Sequence, residues 1–170
     1  DYCNGIGKKI ASVSSTPEGN YAHAQAVYDN EERLYEEWQP VGVSTDGYQS
    51  TSTVSASAKS YYSDPSPYTR YEYDALGRVI GQTGPGDTWY KMGKKIKKSY
   101  VSNSANSVIC YEAPTESNSL VENGCYKSAS LFCEETKDED GHTLQVFTDL
   151  QGRKVLERRE GNNDTYYVYN

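Results

Sequence analysis

Residues 71–80 read Tyr-Glu-Tyr-Asp-Ala-Leu-Gly-Arg-Val-Ile, and this pattern constrains the fold more than any other stretch of the chain. Tyr71 and Tyr73 have the two-residue period of a β-strand, which places both rings on one face. Asp74 suits the first position of a type I turn. Gly77 suits the fourth, where a left-handed residue closes a three-residue hairpin loop with a bulge. Arg78 opens the returning strand, and its guanidinium is expected to lie across a tyrosine ring of the outgoing one, worth about 0.5–1 kcal/mol if exposed. These ten residues spell a β-hairpin.

Weaker copies of the pattern run along the whole chain. Asn4-Gly5-Ile6-Gly7-Lys8 keeps the glycine and replaces arginine by lysine. Tyr28-Asp29-Asn30-Glu31-Glu32-Arg33 has Glu32 in the glycine position, and Thr148-Asp149-Leu150-Gln151-Gly152-Arg153 is complete except for its tyrosine. A further copy begins at Tyr167-Val168-Tyr169-Asn170. The turn openers stand at 4, 29, 74, 149 and 170, at intervals of 25, 45, 75 and 21 residues. The middle intervals hold insertions, so this is not a clean solenoid. The expected fold is all-β, an antiparallel hairpin and meander array within one domain over residues 1–170.

Residues 42–66 are rich in serine and threonine and read as a long polar excursion or a weak edge strand. Between Tyr100 and Thr136, short β-branched runs are separated by loops holding Pro114, Asn118, Asn123 and Gly124. From Cys133 onward, reversals at Asp140-Gly141, at Asp149–Arg153 and at residues 161–164 predict a β-meander. Ala22, Ala26, Leu34 and Trp38 are spaced by multiples of four, which a helix explains equally well. Alignment of Tyr28-Asp29 with the other copies favours strand, turn and strand over residues 22–38.

Composition narrows the function classes. Seventeen tyrosines against two phenylalanines and two tryptophans suit a thin sheet whose phenols stay wet or hydrogen-bonded. A net charge of −7 argues against nucleic acid as partner. Lys91, Lys94, Lys95, Lys97 and Lys98 form a local exception, read as a solvated strand whose charge discourages edge-to-edge association. No apolar run approaches the ~20 residues of a membrane span. No signal peptide is visible, and residue 1 falls inside a repeat-like motif, so a segment of a larger protein is expected.

Sites of chemistry are sparse. Cys3, Cys110, Cys125 and Cys133 form no Cys-x-x-Cys pair, so a zinc centre is not indicated. Cys110 and Cys125 could face each other across a hairpin, but free buried thiols are the favoured reading. His23 and His142 read as isolated surface histidines. Asp138 and Asp140 fail as a calcium loop, because Thr136 and Phe147 would occupy its end positions. Gly84-Pro85-Gly86 is a turn, with neither Lys-Ser/Thr nor a helix signal after it. No cofactor or metal is expected.

The stretch YEYDALGR resembles the motif of the YD-repeat, or RHS-repeat, family. Together with VYDNEERLYEEWQPV, the region from Pro67 to Asn103 and the region from Asp138 to Asn170, it resembles most the uncharacterised domain leading into the repeats of large bacterial surface RHS proteins. The resemblance implies hairpins spiralling into a hollow shell and a surface-exposed or secreted location. It also implies further YD repeats of the same parent chain as partner, but no enzymatic activity. The motif residues are Asn4, Gly7, Asp29, Arg33, Tyr71, Tyr73, Asp74, Gly77, Arg78, Asp149, Gly152 and Arg153. By the same reading, the strand from Tyr166 to Asn170 is an open edge onto which the next hairpin docks. A reading from a different class makes Trp38, Trp89 and Tyr90 an aromatic platform for glycan or protein.

Overall fold

The computed structural model describes residues 1–17, 21–116, 119–161 and 163–169. Among the sequence expectations, Asn118, Asn162 and the turn opener Asn170 lie outside the described residues. The chain forms two compact units, residues 1–95 and 96–170.

The first unit is an antiparallel meander of β1 (Tyr2–Cys3), β2 (Lys9–Ser15), β3 (Tyr21–Tyr28), β4 (Leu34–Val43), β5 (Tyr68–Tyr73) and β6 (Val79–Thr83), each strand beside its sequence neighbours. Residues 22–38 thus resolve as strand, turn and strand. The sheet register sets Gln25 opposite Trp38, and Trp38 opposite Tyr68. The hairpin tips at Asn4, Asp29 and Asp74 lie at one edge of this meander, because each closes an odd-numbered strand onto the next.

Two helices depart from the sequence expectation. Residues 42–66 hold α1 (Thr51–Tyr62) and no edge strand. The Ser50 hydroxyl caps it by accepting from the Thr53 amide, and Ser63 ends it in the left-handed region. Serine and threonine are weak helix formers, so packing must hold it. Val54 and Ala58, one turn apart, are fully buried against Trp38 and Val41, with Val27 and Tyr68 at the margin. A six-residue α2 (Asp87–Met92) follows the Gly84-Pro85-Gly86 turn, where no helix was expected. The Asp64 carboxylate organises its start, accepting from the amides of Ser66 (2.7 Å) and Asp87 (3.0 Å).

The second unit contains β7 (Ile96–Ser102), β10 (Phe132–Lys137), β11 (Thr143–Thr148), β12 (Lys154–Arg159) and β13 (Asn163–Tyr166), paired antiparallel in that order. A separate hairpin, β8 (Ile109–Glu112) with β9 (Val121–Cys125), lies between β7 and β10 in sequence. Val108, Leu131, Cys133, Phe147, Val155 and Leu156 form the core, with Tyr126 and Tyr166 packed on it. Asn103, almost fully buried, fastens the residues entering β10. Its Oδ1 accepts from the amides of Ser130 (3.0 Å) and Leu131 (2.8 Å), and its Nδ2 donates to the Lys127 carbonyl (2.8 Å).

The glycine rule of the tips holds. Gly77 and Gly152 both have φ +78°, and Gly7 has φ +82°. Glu32 adopts φ +61° at the same position of the second tip, a strained conformation for a residue with a Cβ. A Cβ at Gly77 would meet nothing within 4 Å, so substitution there strains only the backbone. Gly77→Val is expected to cost about 1–2 kcal/mol, and Glu32→Gly to recover about 1 kcal/mol. Thermal unfolding of both variants checks this, and shifts in the same direction would refute it.

Candidate functional site

The hairpin tips repeat one piece of chemistry. Asp74 donates its amide to the Arg78 carbonyl and accepts the Gly77 amide on its own carbonyl, both at 3.0 Å. Its Oδ1 accepts from the amides of Leu76 and Arg78 (both 2.9 Å), and its Oδ2 from the Arg78 Nε (2.8 Å). Asp29 repeats these contacts with Glu31 and Arg33, and Asp149 with Gln151 and Arg153. Asn4 accepts from the amides of Ile6 (3.2 Å) and Lys8 (2.9 Å).

A fifth tip was not recognised in the sequence as a copy. The turn read as Asp140-Gly141 opens two residues earlier, at Asp138, with Gly141 at φ +97° and His142 where the others carry arginine. The His142 Nδ1 lies 3.1 Å from Asp138 Oδ2, so the imidazole fills the guanidinium position. The Asp-x-x-Gly spacing was the available signal, hidden by the histidine.

Arg33 and Arg153 cover tyrosines that lie outside their own hairpins, where the sequence suggested a tyrosine of the outgoing strand. Each Nε is held by its own turn's aspartate, and where a ring is covered it belongs to the tyrosine just before the next copy's turn opener. Arg33 lies 4.9 Å from the Tyr73 ring centre, Arg153 lies 5.0 Å from Tyr169, and Lys8 lies 5.3 Å from Tyr28. In all three pairs the phenol donates to the carbonyl one residue beyond the cation. Tyr28 donates to Lys9 (2.8 Å), Tyr73 to Leu34 (2.7 Å) and Tyr169 to Lys154 (2.9 Å). The face of each ring and its polar tip are therefore both engaged by one preceding tip. Tyr71 reaches instead to Glu37 Oε2 (3.2 Å), and burial followed by the Glu37 charge raises its pKa.

At the far side of the second unit, β13 pairs with β12 alone among the described residues. β13 ends at Tyr166, whereas the open strand was expected over Tyr166–Asn170, and the Tyr167 amide already donates to Val155 (2.9 Å). By antiparallel alternation it is Asp164 and Tyr166 that direct N–H and C=O groups to the open edge.

The proposed aromatic platform is not assembled on one surface. Trp38 is only 6% exposed and lies in the core, its ring 4.6 Å from Tyr68 at an interplanar angle of 42°. Tyr90 packs on Tyr68 (5.5 Å), and the two join Tyr35 around the Arg70 guanidinium, which also pairs with Glu36 (2.5 Å). Trp89 alone of the three stays substantially exposed, at 42%. Nearby, Gln39, Tyr62, Asp64, Pro67, Pro85 and Gly86 line an open cavity of about 280 Å³.

His23 is not a surface histidine. It is fully buried, its Nε2 3.3 Å from Gln25 Oε1, while Gln25 donates to the Thr51 hydroxyl (2.9 Å) and the His23 Nδ1 has no partner. Burial lowers its pKa, against a smaller opposing effect of Gln25. The tip aspartates are lowered too. At Asp29, Asp138 and Asp149 desolvation pushes upward but hydrogen bonds within the turn outweigh it, and at Asp74 the Arg78 amide is the largest influence.

Both effects have the same sign. As pH falls below 6.5, the ordinary histidine value, the unfolded chain protonates His23 before the folded one does, and stability declines. Below 3.8, the ordinary aspartate value, the tips add a second loss as pH falls through their lowered folded values. Denaturant midpoints across this range should fall in two stages, and His23→Gln should remove the upper one.

Other candidates carry little. Cys133 is buried and its thiol pushed up to about 11 by desolvation, whereas Cys3 and Cys125 are exposed, so the thiols are free but not uniformly buried. Ile109 lies opposite Cys125 in the β8–β9 register, which sets Cys110 one residue out of step with it. Among the lysine cluster, Lys91 pairs with Asp87, Lys95 with Glu72 and Lys98 with Glu134. No group of three metal-binding side chains occurs among the described residues. No helix among them is long and apolar enough to cross a membrane.

A family model described as Domain of unknown function (DUF6443) matches residues 1–102. The chain belongs to the DUF6443 family. The DUF6443 match spans the first unit and β7, and so includes three of the tips and the Lys8–Tyr28 and Arg33–Tyr73 contacts. No curated protein and no solved structure matches the chain.

Proposed function

We propose that this chain is a non-catalytic structural module of a surface-exposed or secreted protein of the RHS/YD-repeat type, whose task is to fold as, and dock onto, successive hairpins. The observation that carries the reading is the threefold tyrosine contact. Tyr28, Tyr73 and Tyr169 each bond the carbonyl next to the preceding cation and lie under that cation. Such a contact transmits register from one hairpin to the next without any active site. The open edge of β13, with Tyr169 already seated on Arg153, has the form in which another hairpin of this pattern would be received.

Lengthening the chain by one Tyr-Asp-x-x-Gly-Arg hairpin is expected to slow hydrogen exchange at the Asp164 and Tyr166 amides while leaving Tyr167 unchanged. Equal exchange at all three in short and long chains, measured at high dilution, would overturn the docking reading. Tyr73→Phe should cost about 1 kcal/mol through the lost phenol hydrogen bond.

A second reading, a glycan-binding module, is favoured by the cavity lined by Tyr62, Gln39 and Asp64, with the half-exposed Trp89 three residues beyond its Gly86 wall. An aromatic ring beside an amide and a carboxylate suits a sugar ring. Titration with a neutral oligosaccharide such as cellotriose should then shift the Trp89 indole resonance. An unmoved indole at millimolar sugar removes this reading.

A further inference from the structure

Among the described residues, four tips of this pattern open on aspartate, at 29, 74, 138 and 149, and one opens on asparagine followed by glycine, at 4. That order is the one in which an asparagine converts to aspartate most readily, because the next amide nitrogen is unhindered by a side chain. We infer that Asn4 is a self-modification site, deamidating within the folded turn to give the aspartate that the other tips carry.

The turn arranges the reaction. Asn4 Oδ1 accepts from two backbone amides, Ile6 at 3.2 Å and Lys8 at 2.9 Å. Attack on Cγ drives negative charge onto that oxygen, so the two donors act as an oxyanion hole. The attacking nitrogen belongs to Gly5, which is exposed and has open space on its Cβ side. The Nδ2 that must leave is held only by a long contact, donating to Glu32 Oε2 at 3.5 Å.

In the step itself, the Gly5 nitrogen loses its proton to solvent base and bonds to Asn4 Cγ. The Cγ–Nδ2 bond breaks and nitrogen departs as ammonia, leaving a cyclic imide. Water then adds at Cγ and breaks the new C–N bond, giving aspartate. Addition at the backbone carbonyl gives the isomer with one extra main-chain carbon. That isomer would break the closure of the Asn4 amide onto the Lys8 carbonyl (2.8 Å). The aspartate product keeps the Ile6 and Lys8 amide contacts of the turn and exchanges the Nδ2 contact with Glu32 for a carboxylate of the kind that Asp29, Asp74 and Asp149 carry.

The chain supplies its own control. Asn123-Gly124 is the same dipeptide, but there the amide is held by Nδ2 donating to Glu112 (2.7 Å), which fixes the leaving group and not the oxyanion. Incubation of the folded protein at pH 7.4 in heavy-oxygen water, followed by peptide mass spectrometry, reads both sites. Asn4 should convert about tenfold faster than Asn123, the factor expected of one charge-assisted hydrogen bond. Urea should abolish the difference. Gly5→Ala should slow conversion strongly without changing the far-ultraviolet spectrum, and Asn4→Asp should fold with the wild-type far-ultraviolet spectrum. Slower conversion of Asn4 in the folded than in the denatured chain, or conversion of Asn4 no faster than that of Asn123 in the folded protein, would overturn the inference.

Discussion

Trp38→Ala is expected to destabilise the first unit by about 3–5 kcal/mol, the range for deleting a large buried aromatic. The indole fills the space between β4 and α1, touching the helix through Val54 and Ala58 and stacking on Tyr68 at 4.6 Å. Its Nε1 donates to Glu36 Oε2 (3.1 Å), and that carboxylate in turn holds Arg70. Alanine would leave a cavity and remove the main reason for a serine-rich helix to remain folded. Amides of α1 should lose protection from exchange before those of the sheet do. Trp89→Ala, at a half-exposed position, should change stability by no more than about 0.5 kcal/mol. Were Trp38 part of a surface platform, the two substitutions would have similar small effects on the denaturation midpoint. Equal midpoints would refute its placement in the core.

The hairpins were legible in the sequence because turn chemistry is local. Asp74 and Gly77 sit three residues apart, and every bond that shapes the tip is made within five residues. The tip at Asp138 was half legible, since Gly141 was seen but the histidine hid the arginine position. The tyrosine contacts were illegible for the opposite reason. They join residues 19, 39 and 15 apart, and a motif cannot say which neighbour a ring will meet. Helix α1 escaped because its two anchors, Val54 and Ala58, are small and stand in a run of serine and threonine, so that propensity and tertiary packing point different ways. His23 escaped because its sequence neighbours look polar or neutral, and only the fold sets it beside Gln25, which donates to Thr51 at the start of α1.

The strain at Glu32 and the asparagine at position 4 are two departures from the tip rule that meet in space. They face each other, Asn4 Nδ2 lying 3.5 Å from Glu32 Oε2, with Lys8 bonded to the Glu32 carbonyl. The first two tips are thus linked through the residues that replace the motif, whereas Arg33 approaches the third tip at the Asp74 carbonyl (3.5 Å). Departure from the pattern at Glu32 brings a left-handed backbone penalty, and in exchange places a carboxylate where the neighbouring cation is a lysine, which has no guanidinium fork to hold its own turn.

In the second unit the largest effect should come from Leu156→Ala, at about 2–5 kcal/mol. Leu156 is fully buried and sits opposite Tyr166 in the β12–β13 register. Tyr166 makes an edge-to-face contact with Tyr111 (4.9 Å), and its hydroxyl lies 3.5 Å from the Ile109 amide. Removing the leucine side chain would therefore weaken both the core and the seating of the edge strand, through which the proposed docking must act. Amide exchange along β12 and β13 should accelerate together, by the factor that corresponds to the fall in stability. Lengthening the chain by one hairpin should then restore part of the protection in Leu156→Ala, because an added strand binds the folded edge and shifts the equilibrium toward it. If the lengthened variant exchanges as fast as the short one, β13 receives nothing at its open edge, and the tyrosine contacts stabilise this chain alone.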